Sequence, residues 1–141
     1  MSISKGNRCQ LRLLKDIYEV SAACSTKSYI WGGLTIDIFE GEFLREHGGI
    51  DAFTANMLQV LEKLIGLYEK RGYLTEFLDD FHMLEVRKGD VHVSFNRLET
   101  DNGVAMWRHI GERGTLYFPV NWLDDTPRDF YDARVYTSGI E

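Results

Sequence analysis

A chain of 141 residues has the length of one domain (residues 1–141) and can bury about 70% of its unfolded surface. Hydrophobic residues at 44% and charged residues at 27% are ordinary for a soluble globular protein. The net charge of -6, with no local Lys/Arg cluster to offset it, argues against a nucleic-acid partner and leaves a small-molecule or protein partner.

Cys9 and Cys24 have no metal-ligand spacing and read as two reduced thiols. The N-terminus runs Met-Ser-Ile-Ser-Lys-Gly-Asn-Arg, without the apolar core of a signal peptide. No apolar run approaches the ~20 residues of a membrane span. A cytoplasmic protein with no membrane partner is expected.

In chain order, residues 6–24 predict an amphipathic helix, with Leu11, Leu14, Ile17, Tyr18 and Ser21 as its inner stripe. Tyr29-Ile30-Trp31 predicts a short strand ended by Gly32-Gly33, and Leu34 to Phe39 a short helix directly after it. Strand, glycine pair and helix start together present backbone N–H groups that suit an anion. Ile50 to Thr54 predicts a second strand. Asn56 is expected to cap a long helix reaching Arg71, with Met57, Leu58, Leu61, Leu64, Ile65 and Tyr68 inward and Gly72 as its stop.

Tyr73 to Leu78 predicts a third strand. His82 to Arg87 and Val91 to Asn96 alternate around Gly89-Asp90, which predicts a hairpin. A two-residue turn places Glu85 opposite Ser94 and Arg87 opposite His92. Glu85, Arg87, His92, Ser94 and Asn96 then share a polar face, and Leu84, Val86, Val91, Val93 and Phe95 an apolar face against helices. Further strands are expected at Val104 to Trp107 and Thr115 to Phe118, with turns at Asp101-Asn102-Gly103 and Gly111 to Gly114. Asp124-Asp125-Thr126-Pro127 reads as a loop, and Ala133 to Tyr136 as a last edge strand.

The segment from Tyr29 to Thr54 concentrates the residues that carry chemistry: Gly32, Gly33, Asp37, Gly41, Arg45, His47 and Asp51. The glycine pair is either a plain turn or a phosphate-facing one. An Arg fork suits phosphate oxygens, which makes Arg45 a candidate contact. His47 reads either as a binding residue or as a loop anchor. Asp37, near the start of a helix, is expected to hold local structure. His82, His92 and His109 lack the spacing of a zinc site. Trp107 and Trp122 read as packing residues.

The spacing Gly32-Gly33, Asp37, Gly41, Arg45-Glu46-His47, Ile50-Asp51 resembles that of the small antibiotic nucleotidyltransferases of the lincosamide type, within the DNA-polymerase-β-like superfamily. The order of helix, strand, glycine pair, strand, long helix and hairpin is similar over residues 11–98. The resemblance implies an α+β fold, a mixed and mostly antiparallel β-sheet with helices packed on one face. It also implies transfer of a nucleoside monophosphate from a nucleoside triphosphate to the hydroxyl of a small molecule. Gly32, Gly33, Arg45 and His47 would bind the nucleotide, and Asp51 would hold Mg²⁺.

In such families two acidic residues on the second strand and a third on a neighbouring strand hold two metal ions. Here the first position is Gly49 and the third falls at Ser94, with Asn96 two residues beyond. Asp51 alone can support one Mg²⁺–nucleotide complex, but not two ions about 3.5–4 Å apart. Glu85, opposite Ser94, is a candidate to supply a carboxylate there; the alternative pairs it with Arg87 or Arg97. Two readings stay open, an active transferase or a catalytically degenerate relative that binds a nucleotide, a small molecule or a protein. A homodimer is the arrangement that would complete an acceptor cleft.

Overall fold

The computed structural model describes residues 3–108 and 114–139. Ser4 opens it: its hydroxyl accepts the Asn7 N–H at 3.1 Å and caps helix α1, Lys5–Ala23. The buried face of α1 is broader than the apolar stripe predicts, adding Asn7, Gln10, Leu13 and Val20 to Leu14, Ile17 and Ser21. Strand β1 is Ser28–Trp31 and helix α2 is Leu34–Glu40, which ends on Gly41 at φ 88. Such a left-handed stop costs little only in glycine.

Strand β2 is Gly49–Ala55, and α3 is Met57–Lys70 with Met57, Leu64 and Tyr68 buried. Asn56 stands at the start of α3 but does not cap it with its side chain. It is left-handed at φ 54, so it supplies a sharp turn rather than a hydrogen bond. The remaining strands are β3 (Leu74–Leu78), β4 (Met83–Lys88), β5 (Val91–Asp101), β6 (Val104–Arg108), β7 (Thr115–Pro119), β8 (Leu123–Phe130) and β9 (Ala133–Ser138). The turn expected at Gly111 to Gly114 lies, apart from Gly114, outside the described residues.

The strands run in the order β3-β4-β5-β2-β1-β9-β8, and β5 continues beyond β2 to pair with β6, which pairs with β7. The β1–β9 and β2–β5 pairings are parallel and the others antiparallel. This is the expected α+β architecture with a mixed, mostly antiparallel sheet. Two expectations fail at its far edge. Asp124 to Pro127 is not a loop but part of β8, where the register with β9 shifts between Asp124 and Arg128. Asp124 Oδ1 does accept the Thr126 N–H at 3.0 Å, so the turn chemistry is present but is absorbed as an irregularity of an outer strand that tolerates Pro127. Consequently β9 is not an edge strand; it lies between β1 and β8.

Helices α1, α2 and α3 pack on one face of the sheet. Leu13, Leu14, Ile17 and Val20 of α1, Leu34 and Ile38 of α2, and Met57, Leu64 and Tyr68 of α3 share one core with Ile30, Ile50, Ala52, Leu84, Val86, Val93 and Phe95. Each large apolar side chain buried there is worth about 1.5–3 kcal/mol. Because side chains alternate along a strand, Tyr29, Trp31, Asp51 and Phe53 point the other way. On that face Phe53 stacks on Trp31 (5.2 Å between centroids, 14° between planes) and meets Trp107 edge-on (5.1 Å, 73°). The opposite face therefore has an aromatic floor at one end and a polar area at the other.

Candidate functional site

Four strands lay a row of side chains across the polar area. Trp31 is the register partner of Asp51, Asp51 of Ser94, and Ser94 of Glu85. The next row pairs Gly49 with His92 and His92 with Arg87. The hairpin register expected from the two-residue turn is the observed one. Its consequence needs the parallel β2–β5 pairing, which brings Glu85 and Asp51 to either side of Ser94.

Ser94 Oγ lies 2.8 Å from Glu85 Oε1 and 2.9 Å from Oε2, donating to the carboxylate. Glu85 is thus drawn over the strand toward Asp51 and makes no ion pair with Arg87 or Arg97. Arg97 instead bonds Glu99 and the ring of His82. Asp51 reaches solvent, yet its neighbours desolvate the carboxyl enough to raise its pKa above the usual carboxylate range. Nearby His92 opposes the rise and the negative charge of Glu85 adds to it. The two carboxylates sense each other across Ser94.

The glycine pair closes the other side. Gly32 is left-handed at φ 88, and a Cβ built there would lie 3.5 Å from Asp51 Oδ2. A Cβ on Gly33 would lie 2.7 Å from Arg45 Nη2, so the guanidinium covers the backbone of Gly33. Gly32, Gly33, Arg45 and Asp51, spread over the segment that the sequence marks, are brought together. Thr35 reinforces the turn, its Oγ1 donating to the Gly32 carbonyl at 2.6 Å.

His47 does not join them. Its Nε2–H donates to Asp37 Oδ2 at 2.6 Å, and both side chains are only 3% exposed. Of the two readings open for His47, the geometry matches the loop anchor. Asp37 also accepts the Leu44 N–H at 3.0 Å, so its carboxylate organises the loop after α2 rather than merely facing a helix dipole. Helix α1 holds the same loop: Asn7 Nδ2 donates to the Arg45 carbonyl at 2.9 Å and Gln10 Nε2 to the His47 carbonyl at 2.6 Å. Nothing in the local sequence of α1 signals these two contacts, because their partners lie more than 35 residues away.

His92 is the residue that sequence reasoning passed over. A Cβ on Gly49 would lie 2.6 Å from His92 Nε2 and 2.7 Å from Cε1. The space beside Asp51 that a longer residue 49 would fill holds an imidazole.

For a metal, the donors in reach are carboxylate oxygens of Asp51 and Glu85 and the Ser94 hydroxyl, hard ligands that suit Mg²⁺ when phosphate oxygens and water complete its shell. Among the described residues no group of three His, Cys, Asp or Glu side chains is arranged to hold an ion by itself. The set fits one ion brought with a nucleotide and does not fit two protein-bound ions. Also among the described residues, no helix is long and apolar enough to cross a membrane.

No protein-family profile matches the chain, and no curated protein matches it in sequence. Solved structures do match. LnuA, a lincosamide antibiotic adenylyltransferase with lincomycin bound, aligns over 97% of this chain and 80% of its own at 19% identity and TM-score 0.66. The antibiotic-resistance factor ANT(2'')-Ia aligns in solution over 93% of this chain and 65% of its own (19% identity, TM-score 0.69). Its crystal structure with adenylyl-2''-tobramycin gives 93% and 70% (19% identity, TM-score 0.68). A Thermotoga maritima protein provisionally assigned as a nucleotidyltransferase aligns over 94% and 78% at 12% identity and TM-score 0.56. The chain has the fold of the lincosamide and aminoglycoside nucleotidyltransferases.

Proposed function

We propose that the protein binds a nucleoside triphosphate on the face of Gly32, Gly33, Arg45 and Asp51 and transfers its nucleoside monophosphate to a hydroxyl of a small molecule. The observation that carries this reading is the placement of Glu85 across Ser94 from Asp51, which restores a second carboxylate on a face otherwise short of them. Gly32 and Gly33 let phosphate oxygens approach the backbone, and the Arg45 guanidinium, lying on Gly33, offers forked donors to them. Asp51, with Glu85, would hold one Mg²⁺ bound through the phosphates, and the ion would neutralise charge on the phosphate oxygens.

In the transfer, the acceptor oxygen forms a bond to the α-phosphorus while the bond to the pyrophosphate oxygen breaks. In this proposal Glu85 would take the hydroxyl proton, its carboxylate oriented by the hydrogen bonds from Ser94. His47 serves indirectly, by fixing the loop that carries Arg45. Support for the acceptor class comes from the fold shared with LnuA and ANT(2'')-Ia. A cytoplasmic location and a homodimer that completes the acceptor cleft belong to the same proposal.

A second reading has its own observation. Gly49 and Ser94, which stand where the resemblance expects two of the three metal-binding carboxylates, favour a relative that binds the nucleotide without turnover. Incubation with α-labelled nucleoside triphosphates and a panel of hydroxylated antibiotics separates the two. Label on an acceptor from wild type, absent with Asp51→Asn, supports transfer; nucleotide binding with no labelled acceptor supports the binding-only protein.

A further inference from the structure

We propose that His92 is a substrate-contacting residue, its imidazole N–H donating to a phosphate oxygen of the bound triphosphate, and that residue 49 is glycine to make room for that ring. The assignment rests on the triphosphate site proposed above and adds to it a contact made by the protein without metal.

Three observations carry it. First, the ring is seated over the backbone of Gly49: a Cβ there would lie 2.6 Å from Nε2, 2.7 Å from Cε1 and 3.4 Å from Cδ2. Contacts under 3.0 Å force a shift, and the exposed ring is the part free to move, so a side chain at residue 49 would swing the imidazole away from this position. Second, Gly49 has no left-handed backbone, which removes the usual conformational reason for glycine. What the position lacks is a side chain, and what occupies the space is His92. Third, the ring is exposed and hydrogen-bonds to no described residue, although it stands beside Asp51 on the face that carries the glycine pair.

The surroundings hold two further donors for phosphate oxygens, Arg87 and Arg45, set among the carboxylates of Asp51, Glu85 and Asp90. Arg87, the register partner of His92 on β4, extends the donor row, and Arg87 and His92 line a cavity of about 360 Å³ with Glu85 and Asp90. Arg45 approaches from the opposite side, over Gly33. A phosphate chain lying across Asp51 would thus meet donors at both ends. A neutral imidazole still presents one N–H, so the contact does not depend on its charge.

The test is isothermal titration of the full chain with ATP, GTP, CTP and UTP in excess EDTA, repeated with Mg²⁺. His92→Ala and Gly49→Ala, the second moving the ring without removing it, should each weaken metal-free binding about tenfold. The double variant should bind no more weakly than His92→Ala alone, because both changes remove one contact. His92→Gln, which keeps an N–H donor, should retain most of the affinity. Equal binding by wild type and His92→Ala, or penalties that add in the double variant, overturns the assignment while leaving the triphosphate site standing. Failure of wild type to bind any of the four nucleotides, with or without Mg²⁺, overturns the site itself and this contact with it.

Discussion

Asp37 and His47, on α2 and on the loop that leads to β2, form a buried pair at 2.6 Å between Oδ2 and Nε2. The pair ties down the loop whose residue Arg45 covers Gly33, and Asn7 and Gln10 of α1 hold the same loop through its carbonyls. Removing the ring leaves a buried carboxylate with only the Leu44 N–H still bonded to it. His47→Ala should therefore cost about 3 kcal/mol and lower the melting temperature by roughly 10 °C in a calorimetric scan. A variant that melts like wild type would mean the loop is held without this pair.

Asp51 illustrates the opposite balance, a residue kept at a cost to the fold. Desolvation, with a smaller contribution from Glu85, raises its pKa in the folded chain. Between the unfolded and folded pKa values the native state binds more protons, so stability from this group falls as pH rises through that window. Asp51→Asn should raise the melting temperature at pH 7, and the gain should shrink as pH falls through the raised folded value and be gone below the usual Asp value of about 4. Melting curves across pH check the sign; a destabilised Asn variant at pH 7 would contradict it.

The strand register sets Glu85 across Ser94 from Asp51, and the Ser94 hydroxyl bonds both of its carboxylate oxygens. Glu85→Gln should weaken nucleotide affinity measured with Mg²⁺ about tenfold while changing affinity in EDTA little. Equal loss in both conditions would assign Glu85 a structural role instead.

Tyr29 and Asp125 make a checkable contact away from the site. Tyr29 Oη donates to Asp125 Oδ1 at 2.7 Å, and Lys27 lies 3.4 Å from the same oxygen. The Tyr29 hydrogen bond is the main cause holding the Asp125 pKa below the usual range. This contribution is complete above the unfolded value of about 4 and is lost as pH falls through the folded one. Tyr29→Phe should cost about 1 kcal/mol at pH 7 and less in acid. Urea unfolding at pH 7 and pH 3 measures the difference.

The helices, β1 to β5 and the hairpin register were legible because each rests on local signals. The stripe of α3 (except Leu58, expected inward but exposed), the glycines after β1, and the alternation around Gly89-Asp90 need only neighbours in sequence. Pairings between distant strands were not legible. No local feature announces that β2 runs parallel to β5, and that pairing alone sets Asp51 beside Ser94 and seats His92 over Gly49. At the far edge, Asp124 and Pro127 carry real turn chemistry, but an outer strand can absorb a turn as a shift in register. His47 was ambiguous for a related reason: burial against Asp37, not residue type, decides between anchoring a loop and meeting a ligand.

The central claim, that Asp51 and the glycine turn form one nucleoside-triphosphate site, is tested most directly by titrating Mg²⁺-bound nucleoside triphosphates into wild type, Asp51→Asn and Arg45→Ala. Saturable binding to wild type is expected, weakened about tenfold or more by each substitution. Binding unaffected by both substitutions, or no binding to the wild-type chain, would contradict it.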